Sequence, residues 1–169
     1  MMRRFWITAA VIFILDQLTK LAVVHGLDLI NRGEIDVFPP YLTFRMAWNY
    51  GINFGLLSNG SDWARWGLVV LALGISAWVV WWMRHEKGNW KAELAGGFLV
   101  GGALGNIIDR IAYGAVADFL NMSCCGIENP YAFNVADIAI FAGALGLVIF
   151  AKGTDGDKPT GGKPRRTGR

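Results

Sequence analysis

Phe133-Asn134-Val135-Ala136-Asp137 opens a run, residues 133–151, that is apolar except for Asn134 and Asp137 and stops at Lys152. Its length is close to the roughly 20 residues a helix needs to cross a bilayer. A carboxyl group so near hydrocarbon is costly, and such residues are usually functional. The stretch therefore predicts a membrane-spanning helix with an acid held in its first turns.

Three further runs extend the pattern. Residues 5–24 are apolar except for Thr8, Asp16, Gln17, Thr19 and Lys20. Residues 66–83 carry no charge and are flanked by Arg65 and Arg84. Residues 94–113 are apolar until Asn106, Asp109 and Arg110. The composition agrees: 54% of the 169 residues are hydrophobic and 17% charged, below the quarter or so usual for a soluble domain. Backbone in lipid must satisfy its own hydrogen bonds, so these runs are expected as helices. The fold class expected is an all-α polytopic membrane protein with four spans and a small β-sheet at its outer face. Arg3-Arg4 before an apolar stretch resembles a signal peptide. Asp16 and Lys20 interrupt that stretch and no small-x-small cleavage site follows, so it is read as a retained first span.

Lys and Arg set the orientation. They gather at the N-terminus (Arg3, Arg4), in the second connection (Arg84, Lys87, Lys91) and in the tail (Lys152 to Arg169). The positive-inside rule then places both termini in the cytoplasm and residues 25–65 and 114–132 outside. The Gly-, Pro- and Lys/Arg-rich tail, residues 153–169, is expected to be disordered, leaving residues 1–152 as one membrane-embedded domain. The formal charge of +3 comes with this topogenic pattern. It points to membrane lipids as the tail's neighbours, not to nucleic acid.

With this topology the polar residues share a depth. At a rise of about 1.5 Å per residue, Asp16 lies about 17 Å along the first span and Lys20 about 22 Å. Asn106 lies about 18 Å along the third span and Arg110 about 24 Å, again from the inner side. Asn134 and Asp137 occupy the outer turns of the fourth. Asp118, in Val116-Ala117-Asp118-Phe119, sits just beyond the third. Asp16 and Lys20, four apart, share a helix face, as do Asn106, Asp109 and Arg110. Gly97, Gly101 and Gly105 form two overlapping GxxxG steps that allow close helix approach.

Each feature also has a purely architectural reading. Asp16–Lys20 is either a neutralising pair or part of a site. Asn134 reads as an N-cap, with Asp137 at N3 favoured by the helix dipole. Asp109–Arg110 reads as a structural ion pair. The gathering of the whole set at one depth favours a site.

In the long outer loop, Leu42, Phe44, Met46 and Trp48 alternate with more polar or smaller residues, the period of a strand with one apolar face. Residues 35–38 pair with it across Pro39-Pro40 and Tyr41. Gly51, Gly55 and Gly60 loosen the chain after it. Such a sheet on the outer leaflet suits an extended peptide or an acyl chain. Residues 120–132 are expected as a flap. Cys124 and Cys125 lack metal-ligand spacing and a nearby histidine, so no zinc site is expected.

The segments Asp16-Gln17-Leu18-Thr19-Lys20, Asn49-Tyr50-Gly51-Ile52-Asn53-Phe54-Gly55, Gly101 to Arg110, Val116-Ala117-Asp118-Phe119 and Phe133 to Asp137, in this order among four spans, resemble the lipoprotein signal peptidases, the membrane aspartic proteases also called signal peptidase II. The resemblance implies a protease of the bacterial inner membrane that removes signal peptides from diacylglyceryl-modified prolipoproteins, cutting before the lipidated Cys. It implies that Asp118 and Asp137 form the catalytic pair. It implies supporting or substrate-orienting roles for Asp16, Lys20, Asn49, Gly51, Asn106, Asp109, Arg110 and Asn134. A monomer is expected. Asn53 and Ala117 depart from the family's usual small apolar and β-branched residues, which bears on packing and preference.

Elementary chemistry points the same way. The histidines are His25 and His85, no HExxH occurs, and no cofactor or metal is expected. Lys20 and Arg110 stand beside Asp16 and Asp109 and disfavour a cation there. Two carboxylates held together share a proton; one takes a proton from water and the other donates to the scissile carbonyl. The sequence leaves open which is which. A proton or ion transporter would place carboxylates at several depths, and a catalytically dead lipid-binding relative would lack one of the pair; neither pattern is present.

Overall fold

The computed structural model describes residues 2–51, 62–86, 88–124, 126 and 129–151. The expectations for Asn53, Gly55, Gly60, Cys125 and the tail lie outside the described residues.

Helix α1 spans Arg3–Lys20 and continues without a break into a π-helical stretch, Leu21–Gly26. Asp28, at φ 57°, turns the chain into the four-residue helix α2, Leu29–Arg32, which Gly33 ends at φ 76°. Strands β1, Glu34–Phe38, and β2, Leu42–Asn49, then form the expected hairpin, with Ile35 opposite Phe44 and Glu34 opposite Arg45. Helix α3 runs Asp62–His85 and α4 runs Trp90–Tyr113. Asn89 caps α4 by accepting from the Ala92 N–H at 3.2 Å, and Gly114 stops it at φ 81°, a conformation that favours glycine. Strand β3, Val116–Met122, follows, and α5, Val135–Phe150, completes the described chain.

Neighbouring residues give the helix directions. Phe5 and Thr8 lie at Gly97, Ala9 at Gly101 and Asp16 at Gly105, so α1 and α4 are parallel. Ala136 lies at Gly102 and Leu99 at Gly143, so α5 runs against α4. Met83 lies at Gly96 and Arg65 at Gly114, so α3 also runs against α4. These are the directions that alternate crossings demand. The GxxxG steps are the seam: a Cβ on Gly101 would sit 2.5 Å from the Ala9 carbonyl oxygen, and α4 approaches α5 as closely at Gly143. Outside this seam the helices present apolar surface, including Leu18, Trp78, Phe141 and Val148, each about half exposed or more. Faces of that kind suit lipid.

Three helical stretches are long and apolar enough to cross a membrane: Arg3–Gly26, Asp62–His85 and Trp90–Tyr113. The fourth run is shorter as a helix than the sequence suggested. Phe133 and Asn134 belong to the approach and the cap, so α5 has 16 residues and a length of about 24 Å.

The sheet has the order β1-β2-β3, all antiparallel. It lies at the end of the bundle where α1 and α4 finish and α5 begins. Phe44, Met46 and Trp48 do form one apolar face, but it packs against Val23, Val24, Leu29 and Phe119 of the same molecule. The turn after α1 therefore covers part of that face, and Trp48 at its end remains at the edge of an open hollow. The segment expected as a flap is tied at its base: Leu120 and Phe133 exchange backbone hydrogen bonds at 2.8 and 3.0 Å. Farther along, buried Asn121 donates to the carbonyls of Asn129 and Tyr131.

Candidate functional site

Asp118 lies on β3 opposite Ala47 of β2. The strand alternation that turns Ala117 toward Phe44 and Trp48 turns Asp118 to the other face. There Asn134 Nδ2 donates to Asp118 Oδ1 at 2.6 Å, and Asn49 Nδ2, from the end of β2, donates to Asp118 Oδ2 at 3.0 Å. Asp137 sits in the first turn of α5. Its backbone N–H donates to Asn134 Oδ1 at 2.9 Å, the expected N-cap. Asn106 Nδ2, from α4, donates to Asp137 Oδ1 at 2.9 Å. Asn134 Nδ2 also reaches Asn106 Oδ1 at 3.3 Å. A pair of asparagine side chains thus bridges the two carboxyl groups. Asp137 Oδ2 is buried and has no hydrogen-bond partner among the described residues.

The remaining site residues join this network. Gly51 N donates to Asn49 Oδ1 at 3.2 Å, and Arg110 Nη2 donates to the Gly51 carbonyl at 3.1 Å. Arg110 therefore ties the chain after β2 to α4, next to the carboxyl pair. Lys20 forms ion pairs with Asp16 at 2.8 Å and Asp109 at 2.7 Å, and its Nζ lies 3.3 Å from Asn106 Oδ1. Asp16, Lys20 and Asp109 are all buried. Asp118, Asp137, Asp16, Lys20, Asn49, Gly51, Asn106, Asp109, Arg110 and Asn134 are thus brought together at one end of the bundle.

Two details differ from the sequence reading. Asp109 pairs with Lys20 of α1 and not with Arg110, because adjacent helical residues project in different directions. Gln17, which the spacing of charges alone does not single out, also belongs to the network. Its Nε2 lies 3.2 Å from both Asp16 Oδ2 and Asp109 Oδ1. Its signal was its place between an intramembrane acid and base on the same helix.

Burial pushes the Asp118 carboxyl up to about 7, and the negative charge of Asp137 adds to the rise. Hydrogen bonds from Asn49 and Asn134 and the charge of Lys20 act in the opposite direction. The outcome is an acid that changes protonation near neutrality, the range in which a general acid or base works best. Among the described residues no three His, Cys, Asp or Glu are grouped so as to hold a metal ion. A hollow of about 240 Å³ opens behind Lys20 and Asp109, lined also by His25, Trp48, Tyr113 and Ala117. It lies on the Ala117 side of β3, away from the face that carries Asp118.

The carboxyl pair thus lies at the end of a bundle of apolar helices, beside a small sheet, the setting of a membrane protein. The comparisons agree. The family model for signal peptidase (SPase) II matches residues 8–152. The lipoprotein signal peptidase of Shewanella loihica is 39% identical over 95% of this chain and 91% of its own length. That of Methylobacterium radiotolerans is 41% identical over 86% of this chain and 83% of its own. A bacterial membrane enzyme solved by the in meso method at 2.3 Å superposes with a TM-score of 0.75 at 27% identity, covering 93% of both chains. The chain belongs to the signal peptidase II family, and it is a protease.

Proposed function

We propose that this chain is an aspartic endopeptidase that removes signal peptides from diacylglyceryl-modified prolipoproteins, with Asp118 and Asp137 as its reacting pair. The observation that carries the reading is the asparagine-bridged carboxyl pair, of which one buried oxygen, Asp137 Oδ2, has no hydrogen-bond partner among the described residues. An unpaired acceptor in a buried site is expensive unless something else occupies it. A water molecule and a peptide carbonyl are what a protease must place there.

In the reaction, one carboxylate takes a proton from water as its oxygen attacks the scissile carbonyl. The protonated partner donates to the carbonyl oxygen, giving a neutral gem-diol. The carboxyl that took the proton from water then gives it to the leaving nitrogen, while its partner takes a proton back from a gem-diol hydroxyl; the C–N bond breaks, the new carboxyl terminus is released, and the pair returns to its starting state. Like charges this close do not both ionise readily, so the pair holds one proton near neutral pH. Asn49, Asn106 and Asn134 orient the carboxyl groups. Arg110 holds Gly51, just after β2, beside the pair.

The setting follows from the charges. Residues 1–152 form one domain whose four apolar helices, α5 included, cross the inner membrane. Both termini are cytoplasmic, the site is near the outer face, and the enzyme acts as a monomer. The test is cleavage of a matched pair of precursors, one carrying diacylglycerol on its lipobox cysteine and one not. The lipidated precursor is cut immediately before the cysteine, as read by product mass; an equally fast cut of the unlipidated one contradicts the proposal.

A further inference from the structure

An ammonium has three N–H donors and no acceptor. In Lys20 all three have an oxygen to meet: Asp109 Oδ2 at 2.7 Å, Asp16 Oδ2 at 2.8 Å and Asn106 Oδ1 at 3.3 Å. What the two carboxylates do with their remaining capacity is unexpected. Asp16 Oδ1 accepts the backbone N–H of Ala136 at 2.9 Å. Asp109 Oδ2 accepts the backbone N–H of Ala117 at 3.2 Å. Ala136 and Ala117 are the residues immediately before Asp137 and Asp118.

Both N–H groups would otherwise lack partners. Ala136 is in the first turn of α5, where backbone donors have no intrahelical acceptor, and Asn134 already serves Asp137. Ala117 is on β3, an edge strand of the sheet. A single cation on α1 therefore anchors, through two buried carboxylates, the backbone leading into each member of the pair. Through Asn106 it also reaches the side chain of Asp137.

We infer that Lys20 is a positioning residue: with Asp16 and Asp109 it forms a clamp that sets the separation and aim of Asp118 and Asp137. The inference rests on the reading of those two aspartates as the reacting pair. Its consequence is kinetic, because misplacement by about 1 Å at a reacting centre costs about 10²-fold in rate.

The experiment uses the full chain in detergent micelles, labelled with ¹⁵N-alanine. It compares the wild type, Lys20→Met, and the neutral triple variant Lys20→Met/Asp16→Asn/Asp109→Asn. The triple variant removes the buried charges together and keeps an oxygen acceptor for each backbone N–H. The readouts are the amide proton shifts of Ala117 and Ala136, with kcat and KM on a diacylated lipobox peptide. In Lys20→Met both amide signals move and kcat falls about 100-fold, while KM stays within about 3-fold. In the triple variant both signals return toward their wild-type positions, and kcat recovers at least about 10-fold.

Amide signals that stay in place in Lys20→Met overturn the clamp, as does an unchanged kcat. Signals restored in the triple variant without recovery of kcat also overturn it, since the charge and not the hold would then matter. Removing one partner of a buried ion pair is strongly destabilising. Where Lys20→Met fails to fold, the triple variant decides alone: displaced amide signals, or a kcat still about 100-fold below wild type, overturn the clamp. Asp118→Asn is run beside these. Turnover retained there removes the reacting-pair reading, while the amide shifts still judge the clamp.

Discussion

Asn134 holds Asp118 and Asp137 with opposite ends of one amide: its Nδ2 donates to Asp118 Oδ1 at 2.6 Å while its Oδ1 accepts from the Asp137 backbone at 2.9 Å. The cap and the site are the same side chain. Asn134→Asp keeps the acceptor that caps α5, loses the donor to Asp118 and adds a third carboxyl group. It is predicted to lower cleavage by on the order of 10²-fold. Asn134→Ala loses the cap as well and is predicted to cost about 1 kcal/mol of stability in addition. Steady-state cleavage and thermal unfolding separate the two effects. Wild-type turnover in Asn134→Asp contradicts the arrangement.

The raised Asp118 carboxyl gives a pH dependence of definite sign. Its folded value of about 7 lies above the ordinary 3.8, so between these values the folded protein binds a proton that the unfolded chain has released. Stability from this group is complete below the unfolded value and is lost as pH rises through the folded one. The melting temperature of the wild type relative to Asp118→Asn is therefore predicted to fall between about pH 4 and about pH 7 and to level off above. Cleavage by the wild type is predicted to decline as pH rises through about 7, as the pair loses its proton. A gap that widens in favour of the wild type as pH rises contradicts this assignment.

The glycines of α4 and α3 are predicted to respond in opposite ways. A Cβ at Gly101 would meet the Ala9 carbonyl oxygen at 2.5 Å, whereas one at Gly74 would meet nothing within 4 Å. Gly101→Ala forces α1 and α4 apart and should destabilise by about 1–3 kcal/mol. Gly74→Ala should be neutral, or stabilising by up to about 1 kcal/mol through helix propensity. Thermal unfolding in one detergent compares them; equal effects would contradict the close α1–α4 seam.

The proposed orientation is tested by labelling from outside, in a Cys124→Ser/Cys125→Ser background. Asp36 on β1 and His85 at the end of α3 are both exposed, at opposite ends of the bundle. A membrane-impermeant thiol reagent on intact cells or spheroplasts should reach Asp36→Cys and not His85→Cys. The reverse pattern contradicts cytoplasmic termini.

The sequence exposed those parts of the molecule that obey a simple period. Long apolar runs gave the helices, and the alternation from Leu42 to Trp48 gave the hairpin. Strand β3 was hidden because Val116 to Phe119 are buried in succession, which leaves no alternation to read. The same pattern from Leu42 to Trp48 showed an apolar face without showing that the turn after α1 covers part of it. Asn134 was legible as a cap because that role is local, whereas its bond to Asp118 depends on a strand the sequence did not reveal. The partner of Asp109 was misread for a related reason: Arg110 is next to it in sequence, but Lys20 is next to it in space.

The central claim is that Asp118 and Asp137 act together as a metal-free acid–base pair. The direct measurement is cleavage of a diacylated prolipoprotein by purified wild type, Asp118→Asn and Asp137→Asn, each folded and each with and without EDTA. The asparagine variants keep the shape of the side chain but cannot take a proton from water. The predicted result is wild-type cleavage that EDTA does not change, and no turnover above background in either variant. Appreciable turnover by either variant, or wild-type activity lost on chelation and restored by one divalent ion, would contradict the claim.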